Sequence, residues 1–247
     1  EDYFRTWLAM VELRVFFPEQ WNVRGAIPYP GGYLIGAVML INLCAVFVVR
    51  FTWSAKRAGI WLIHTGLIVL IFSEFVTGYL AEEGQMTIHE GGWSNYVEDI
   101  RESELAIIDT SSPDGDTVWA IPESRIAGAA REPVTLDEPQ LPFIVRVTRF
   151  MPNSDLRAVA PQVDVSNPAT VGDGLQIIAE PRPVITGTDT QQRSDEPSAY
   201  VELLDRRTDE SLGTWLAALR LGQNRRPQVI EHEGTTYHLY LRYKRTY

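Results

Sequence analysis

From Gly31 to Leu80 polar positions almost vanish from the chain. GGYLIGAVMLINLCAVFVVRF is followed by TWSAKR and then by AGIWLIHTGLIVLIFSEFVTGYL. Tyr33–Val49 is seventeen residues with Asn42 as its one strongly polar member. Ala58–Phe72 is fifteen residues with His64 and Thr65 as its polar members, and the apolar run resumes after Ser73 and Glu74 through Phe75–Leu80. A spanning helix needs about 20 mostly apolar residues at a rise of ~1.5 Å each. Both blocks reach that length once their ends are included. No charge lies between Tyr33 and Val49, and unpaired charge is what lipid penalises most. The pattern predicts a transmembrane helical hairpin, with spans at about 31–51 and 58–80 and a loop at 52–57. Two buried helices of a soluble core are the competing reading.

From Ala81 the period shortens. Runs rich in Val, Ile, Thr, Tyr and Trp alternate with clusters of Gly, Pro and Asp. They predict strands at Gln85–His89, Leu105–Asp109, Thr117–Ile121, Phe143–Phe150, Leu175–Ala179, Tyr200–Asp205, Gly213–Ala218, Gln228–Glu231 and Thr236–Tyr243. SSPDGD (111–116) is a strong hairpin signal, and RRTDES (206–211) and HEGTT (232–236) are further turn candidates. Arg146, Thr148 and Phe150 alternate with Val145, Val147 and Arg149, which predicts a strand with two unlike faces. The long polar stretches Pro152–Asp173 and Glu180–Pro197 are expected to be loops. Residues 81–247 are therefore expected to form an all-β domain, an antiparallel β-sandwich or open barrel.

Ahead of the hairpin, Phe4, Trp7, Leu8, Val11 and Val15 recur at spacings of three and four, with Arg5, Glu12 and Arg14 elsewhere on the wheel. That spacing predicts an amphipathic helix within Glu1–Gln20, lying in a membrane interface or packed on protein, and ended by Pro18. WNVRGAIPYPGG then reads as an extended lead-in completing region 1–30, with Trp21 and Tyr29 as interfacial anchors.

Charge gives the hairpin a direction. Arg50, Lys56 and Arg57 cluster between the spans with no acidic residue among them. The positive-inside rule places that loop in the cytoplasm, so residues 1–30 and 81–247 fall on the extracytoplasmic, periplasmic side of an inner or cytoplasmic membrane. The chain does not begin with Met and shows no signal peptide, so an earlier span is expected outside this sequence. The formal net charge is −10, but residues 1–80 hold six basic and five acidic residues. The remainder holds sixteen basic and twenty-seven acidic residues. Such an acidic domain argues against nucleic acid as a partner. It suits a basic protein partner, or plain solubility. The single cysteine, Cys44, excludes an intrachain disulfide, and the reading for it is a small packing residue. No GxGxxG, P-loop, HExxH or GxSxG motif occurs, and no catalytic constellation is legible in the β-domain.

His64 is the chemically telling residue. Counted from Ala58, it lies about 10 Å along the second span at ~1.5 Å per residue. Ionisable residues within a span are costly and are functional candidates. A neutral imidazole is also an axial ligand for haem iron. A ligand, a proton relay and a packing residue hydrogen-bonded to a neighbour all stay open on the residues alone. Trp61 and Ile68 lie on the same helical face, with Leu67 beside it, as ring-packing or plain helix-packing surface.

The order of these features carries a resemblance. An aromatic amphipathic segment precedes the span with LINLCAVFVVR. A basic loop, GIWLIHTGLIVLIFSEFVTG and EEGQMTIHEGGWSNYVED follow. This order resembles the ResB (CcsB) proteins of System II cytochrome c biogenesis, over roughly Phe4–Asp109 and loosely beyond. The resemblance implies further spans before and after this sequence. It implies that His64 is a haem axial ligand, and the haem iron its metal, with Trp61, Leu67 and Ile68 packing the haem. The implied cofactor is haem b, transient and shared with a ResC (CcsA) type membrane subunit, whose tryptophan-rich haem-presenting motif is absent here. Apocytochrome c and a thiol-reducing thioredoxin-like protein are the other implied partners. The implied role is the accessory, non-catalytic half of a haem delivery and cytochrome c synthase complex. The alternatives are a membrane-anchored β-domain scaffold without cofactor, and a redox or transport subunit using His64 and Glu74 as a proton path.

Overall fold

The structure is a computed structural model that describes residues 4–13, 16–17, 21, 23, 25–50, 54–88, 90–113, 115–160, 166–185, 194–224 and 226–247. The chain divides into two units, 1–82 with 185–193 and 83–184 with 194–247.

The first unit opens on a strand where the apolar spacing predicts a helix. Leu8–Glu12 (β1) pairs antiparallel with Ala26–Pro30 (β2), Leu8 facing Pro30 and Glu12 facing Ala26. The deciding pattern has period two. Ala9 and Val11 are buried, whereas Leu8 and Met10 are exposed. Spacings of three and four fit those few residues equally well, but a helix this short is marginal in water without tertiary support. The distant segment 26–30 supplies ladder partners instead. Val15 and Arg14, used in the helix reading, lie outside the described residues.

Gly32–Val49 forms the first long helix (α1), and Ala58–Leu80 the second (α2), after a 3₁₀ turn at Ala55–Arg57. Each is long and apolar enough to cross a membrane. The chain leading into β1 closes onto the start of α1. The Gly31 N–H donates to the Trp7 carbonyl (2.9 Å) and the Tyr33 N–H to the Thr6 carbonyl (3.2 Å). Helix N-termini leave such donors unpaired, and here backbone satisfies them in place of a side-chain cap. A Cβ at Gly31 would collide with the Thr6 carbonyl oxygen, so the approach requires glycine. Tyr33 is the one buried side chain of α1. Its ring stacks on Phe75 (centroids 5.3 Å) and on Tyr79 (5.2 Å), and Trp7 adds a tilted contact at 5.9 Å. The Trp7 indole N–H donates to the Tyr79 hydroxyl at 3.2 Å. Cys44 is exposed on α1.

The second unit is antiparallel throughout. One sheet joins Val97–Asp109 (β4) to Gly84–Gln85 (β3) on one side and to Thr235–Thr246 (β13) on the other, with Gln228–His232 (β12) beyond β13. Thr117–Pro122 (β5) also pairs with β4. The other sheet runs Ser211–Ala218 (β11), Ser198–Asp205 (β10), Phe143–Met151 (β7) and Val134–Leu136 (β6). The two sheets share one core: Leu105, Ile107, Leu239 and Leu241 from the first meet Phe143, Val145, Val147, Val201 and Leu203 from the second. The domain is thus two packed antiparallel sheets, not a closed barrel. SSPDGD connects β4 to β5, RRTDES connects β10 to β11, and HEGTT spans the β12–β13 turn, as the turn chemistry predicts. At that last turn Glu233 and Gly234 both take positive φ (51° and 80°), the twist a tight hairpin demands.

Four differences have local causes. The strand expected at 85–89 narrows to β3, with His89 outside the described residues. The strand expected at Leu175–Ala179 begins at Ile177 (β9, Ile177–Pro181), because Gly172–Leu175 forms a 3₁₀ turn. The expected loop Pro152–Asp173 contains Ser154–Ala158 (β8), paired with β9. That ribbon accompanies a second small core of Met151, Ala169, Ala179, Tyr200 and Leu216. Finally, Phe150 does not share a face with Arg146. The register against β10 shifts so that Thr148 is extra, between Arg149 facing Tyr200 and Val147 facing Val201. This bulge turns Phe150 into the main core beside Val145 and Val147.

Across the β4–β13 ladder, Arg242 directly faces Glu104. Its Nε and Nη2 both lie 2.9 Å from Glu104 Oε1, and the two side chains are 6 % and 4 % exposed. Carboxylates also organise the turns. Ser111 donates from its hydroxyl and its backbone N–H to Asp109, and holds that carboxyl below its ordinary pKa. The N–H groups of Arg207 and then Thr208 do the same for Asp205 against the opposing cost of burial.

Candidate functional site

The site grows from two stripes. Along α2 the half-buried positions are Trp61, His64, Ile68, Ile71, Phe75 and Gly78, spaced three and four apart. Along α1 the covered positions include Tyr33, Gly36, Leu40, Leu43 and Phe47. Such spacing marks the faces that two helices turn towards each other. Ring contacts confirm the pairing: Phe47 meets Trp61 edge-on at 4.8 Å, and Tyr33 meets Phe75 at the far end. Ser54 is the midpoint of both pairs in the sequence, as an antiparallel hairpin turning there requires.

His64 therefore lies on the inward stripe, one turn beyond Trp61. Its Nδ1 lies 2.8 Å from the carbonyl oxygen of Ile60. A carbonyl accepts only, so Nδ1 carries the hydrogen and donates. In the neutral ring Nε2 then keeps its lone pair. This tautomer is the one a metal-ligating imidazole needs, with a backbone acceptor orienting the ring.

Beside His64 is an open cleft of about 210 Å³. Val46 and Phe47 of α1 and Ile60 and Trp61 of α2 form its apolar walls. Arg50 and Arg57 line its loop end. Of the residues expected to pack a haem, Trp61 lines this cleft with His64. Ile68 lies on the same stripe a turn further along, outside the cleft lining. Leu67 is 43 % exposed, off the stripe. Phe47, Arg50 and Arg57 join the site without having been selected as site residues from sequence. Mirror pairing about the loop would have found Phe47, and the two arginines carried only a topology signal.

The donor set fits haem in kind: one imidazole with a free Nε2, an aromatic and aliphatic wall, and cations at one end. The cleft is smaller than the 300–1,000 Å³ typical of enclosed ligand sites, so it can take one edge of a macrocycle. Among the described residues no three His, Cys, Asp or Glu side chains gather into a metal-binding group. Glu74 is exposed on α2 and does not join His64. In the β-domain, His232 packs on Phe143 and lies 3.6 Å from Asp205, while His238 packs on Tyr240. No protein-family model and no curated protein sequence matches the chain.

Proposed function

We propose that this chain is a ResB (CcsB) type protein, the accessory half of a System II haem delivery and cytochrome c synthase complex. In this proposal α1 and α2 cross the cytoplasmic membrane, with Arg50, Lys56 and Arg57 on the cytoplasmic side and the β-domain outside. One observation carries it: His64, with Nδ1 engaged and Nε2 available, opens onto an apolar cleft between two helices apolar enough to span lipid. Haem b is cargo, supplying the iron that Nε2 can bind and the vinyl groups that become joined to CxxCH thiols. His64 supplies one axial position, and Phe47 and Trp61 cover a ring edge.

A second axial ligand comes from a ResC (CcsA) type subunit, where covalent attachment to apocytochrome c takes place. Asn42 supports a partner helix. It is exposed midway along α1, and a carboxamide on an apolar helix surface is the kind of group a neighbouring helix satisfies. The acidic β-domain steers apocytochromes, many of which are basic, and a thioredoxin-like protein keeps their thiols reduced.

The test is His64→Ala in the intact protein co-expressed with its partner. Co-purifying haem and cytochrome c assembly should both fall, while the protein still accumulates. His64→Gly with added imidazole should restore part of both. Alanine variants of His89, His232 and His238 should keep most of the haem. Full haem and full assembly in His64→Ala would make His64 a packing residue. No Soret band in the wild-type complex would leave a cofactor-free scaffold.

A further inference from the structure

We propose that Arg50 and Arg57 form a carboxylate-reading mouth on the His64 cleft. They would take a planar apolar ligand by the edge that bears its acid groups. This deepens the haem proposal and rests on it.

The geometry comes from the two helix ends that border the cleft. Arg57 ends the 3₁₀ turn and caps the start of α2, seven residues ahead of His64. Arg50 caps the C-terminal end of α1, three residues beyond Phe47, with its N–H donating to the Val46 carbonyl. Both guanidinium residues line the cleft that His64 lines. The ligand-facing surface therefore has three tiers. His64 is deepest, the Phe47–Trp61 ring pair lies between, and two cations stand at the loop end.

Charge makes the mouth selective. From Gly31 to Ser73 the chain carries Arg50, Lys56 and Arg57 and no Asp or Glu. The cleft is thus electropositive at one end and uncharged elsewhere. Guanidinium groups offer a planar fork of donors that matches a carboxylate in two parallel hydrogen bonds, which a lysine ammonium cannot do. A porphyrin with two carboxylates on one edge fits this order of tiers: iron at His64, ring against Phe47 and Trp61, acids at the arginines. A lipid headgroup offers related anionic chemistry at the same depth, but it presents no ring to the apolar tier.

The test is spectral titration of the intact protein, co-expressed and purified with its partner subunit in phospholipid-free detergent, with iron protoporphyrin IX and with its dimethyl ester. The ester keeps the ring and iron but loses the charges. Wild type should bind the diacid roughly tenfold or more tightly than the ester. Arg50→Gln/Arg57→Gln should erase that preference by weakening diacid binding and sparing the ester, and Arg50→Lys/Arg57→Lys should restore part of it. Added phosphatidylglycerol should leave the preference in place.

Equal wild-type affinity for diacid and ester overturns the mouth while leaving the haem proposal standing. Equal loss of both ligands in the glutamine variant also overturns it, by making the arginines structural. A preference abolished by phosphatidylglycerol assigns the arginines to lipid. Binding of neither ligand by wild type removes the haem proposal and the mouth with it.

Discussion

The two units use the same apolar residue types in opposite ways. In the β-domain Leu105, Ile107, Val145 and Leu203 are fully buried. In the helical unit Val48, Val49, Leu62 and Leu80 are 75–81 % exposed, and Tyr33 is the one buried side chain of the two long helices. A water-soluble surface rarely exposes a contiguous apolar belt on this scale. The difference is one of pattern. The β-domain alternates apolar and polar positions and turns one set inward, whereas the helices are apolar on all sides and keep only a narrow stripe for each other. An apolar residue reports that it avoids water, and the pattern around it reports what replaces the water.

The sharpest way to break this contrast is a matched pair of phenylalanines. Phe143→Ala should cost the β-domain about 3–5 kcal/mol, because Phe143 is fully buried beneath Tyr237 and His232. Phe72→Ala, at a position 59 % exposed, should stay within about 0.5 kcal/mol. Urea unfolding of the intact protein measures both, and equal losses would mean that Phe72 has a protein environment.

Next comes a contrast inside the hairpin. The Tyr33 hydroxyl lies over Gly78, while nothing lies near Gly66. Gly78→Leu should push Tyr33 off its stack on Phe75 and Tyr79 and destabilise the hairpin by about 1–3 kcal/mol. Gly66→Leu should leave stability and the near-ultraviolet aromatic signal unchanged. A smaller loss, about 0.5–1.5 kcal/mol, is expected for Trp7→Phe, which keeps a ring but removes the hydrogen bond to Tyr79. Thermal unfolding in detergent tests it, and no change would make that bond irrelevant.

The smallest effect is in pH and belongs to the β-domain. Asp205 is held below its ordinary value of 3.8, chiefly by the N–H groups of Arg207 and Thr208. A lowered folded-state pKa stabilises above the ordinary value, and that stabilisation is lost as pH falls through the folded-state value. The stability gap between wild type and Asp205→Asn should therefore be full at neutral pH and shrink as pH drops below 3.8. A gap that is constant down to the acid limit would mean that Asp205 acts by shape and not by charge.

Much of the architecture was legible because its signals are local. The long apolar runs placed α1 and α2 within a few residues. SSPDGD, RRTDES and HEGTT placed three hairpin turns, and His64 stood out as an ionisable group within an apolar run. The misreadings share a cause. Leu8–Glu12 fits two periods, and its strand partner lies fourteen or more residues away in Ala26–Pro30. Thr148 looks like any alternating residue until β10 pairs around it. β6 and β8 are too short to show a period of their own.

The sequence by itself determined which segments avoid water, where the chain turns, and which residue could ligate a metal, since each depends on side chains and their near neighbours. Tertiary structure decided which stripe of each helix faces inward, and so brought Phe47, Arg50 and Arg57 into a cleft with His64. It also decided that Arg242 neutralises Glu104 across 138 residues of chain. Those outcomes depend on pairing and register, which are set by the sum of many distant contacts and are recorded in no single stretch of residues.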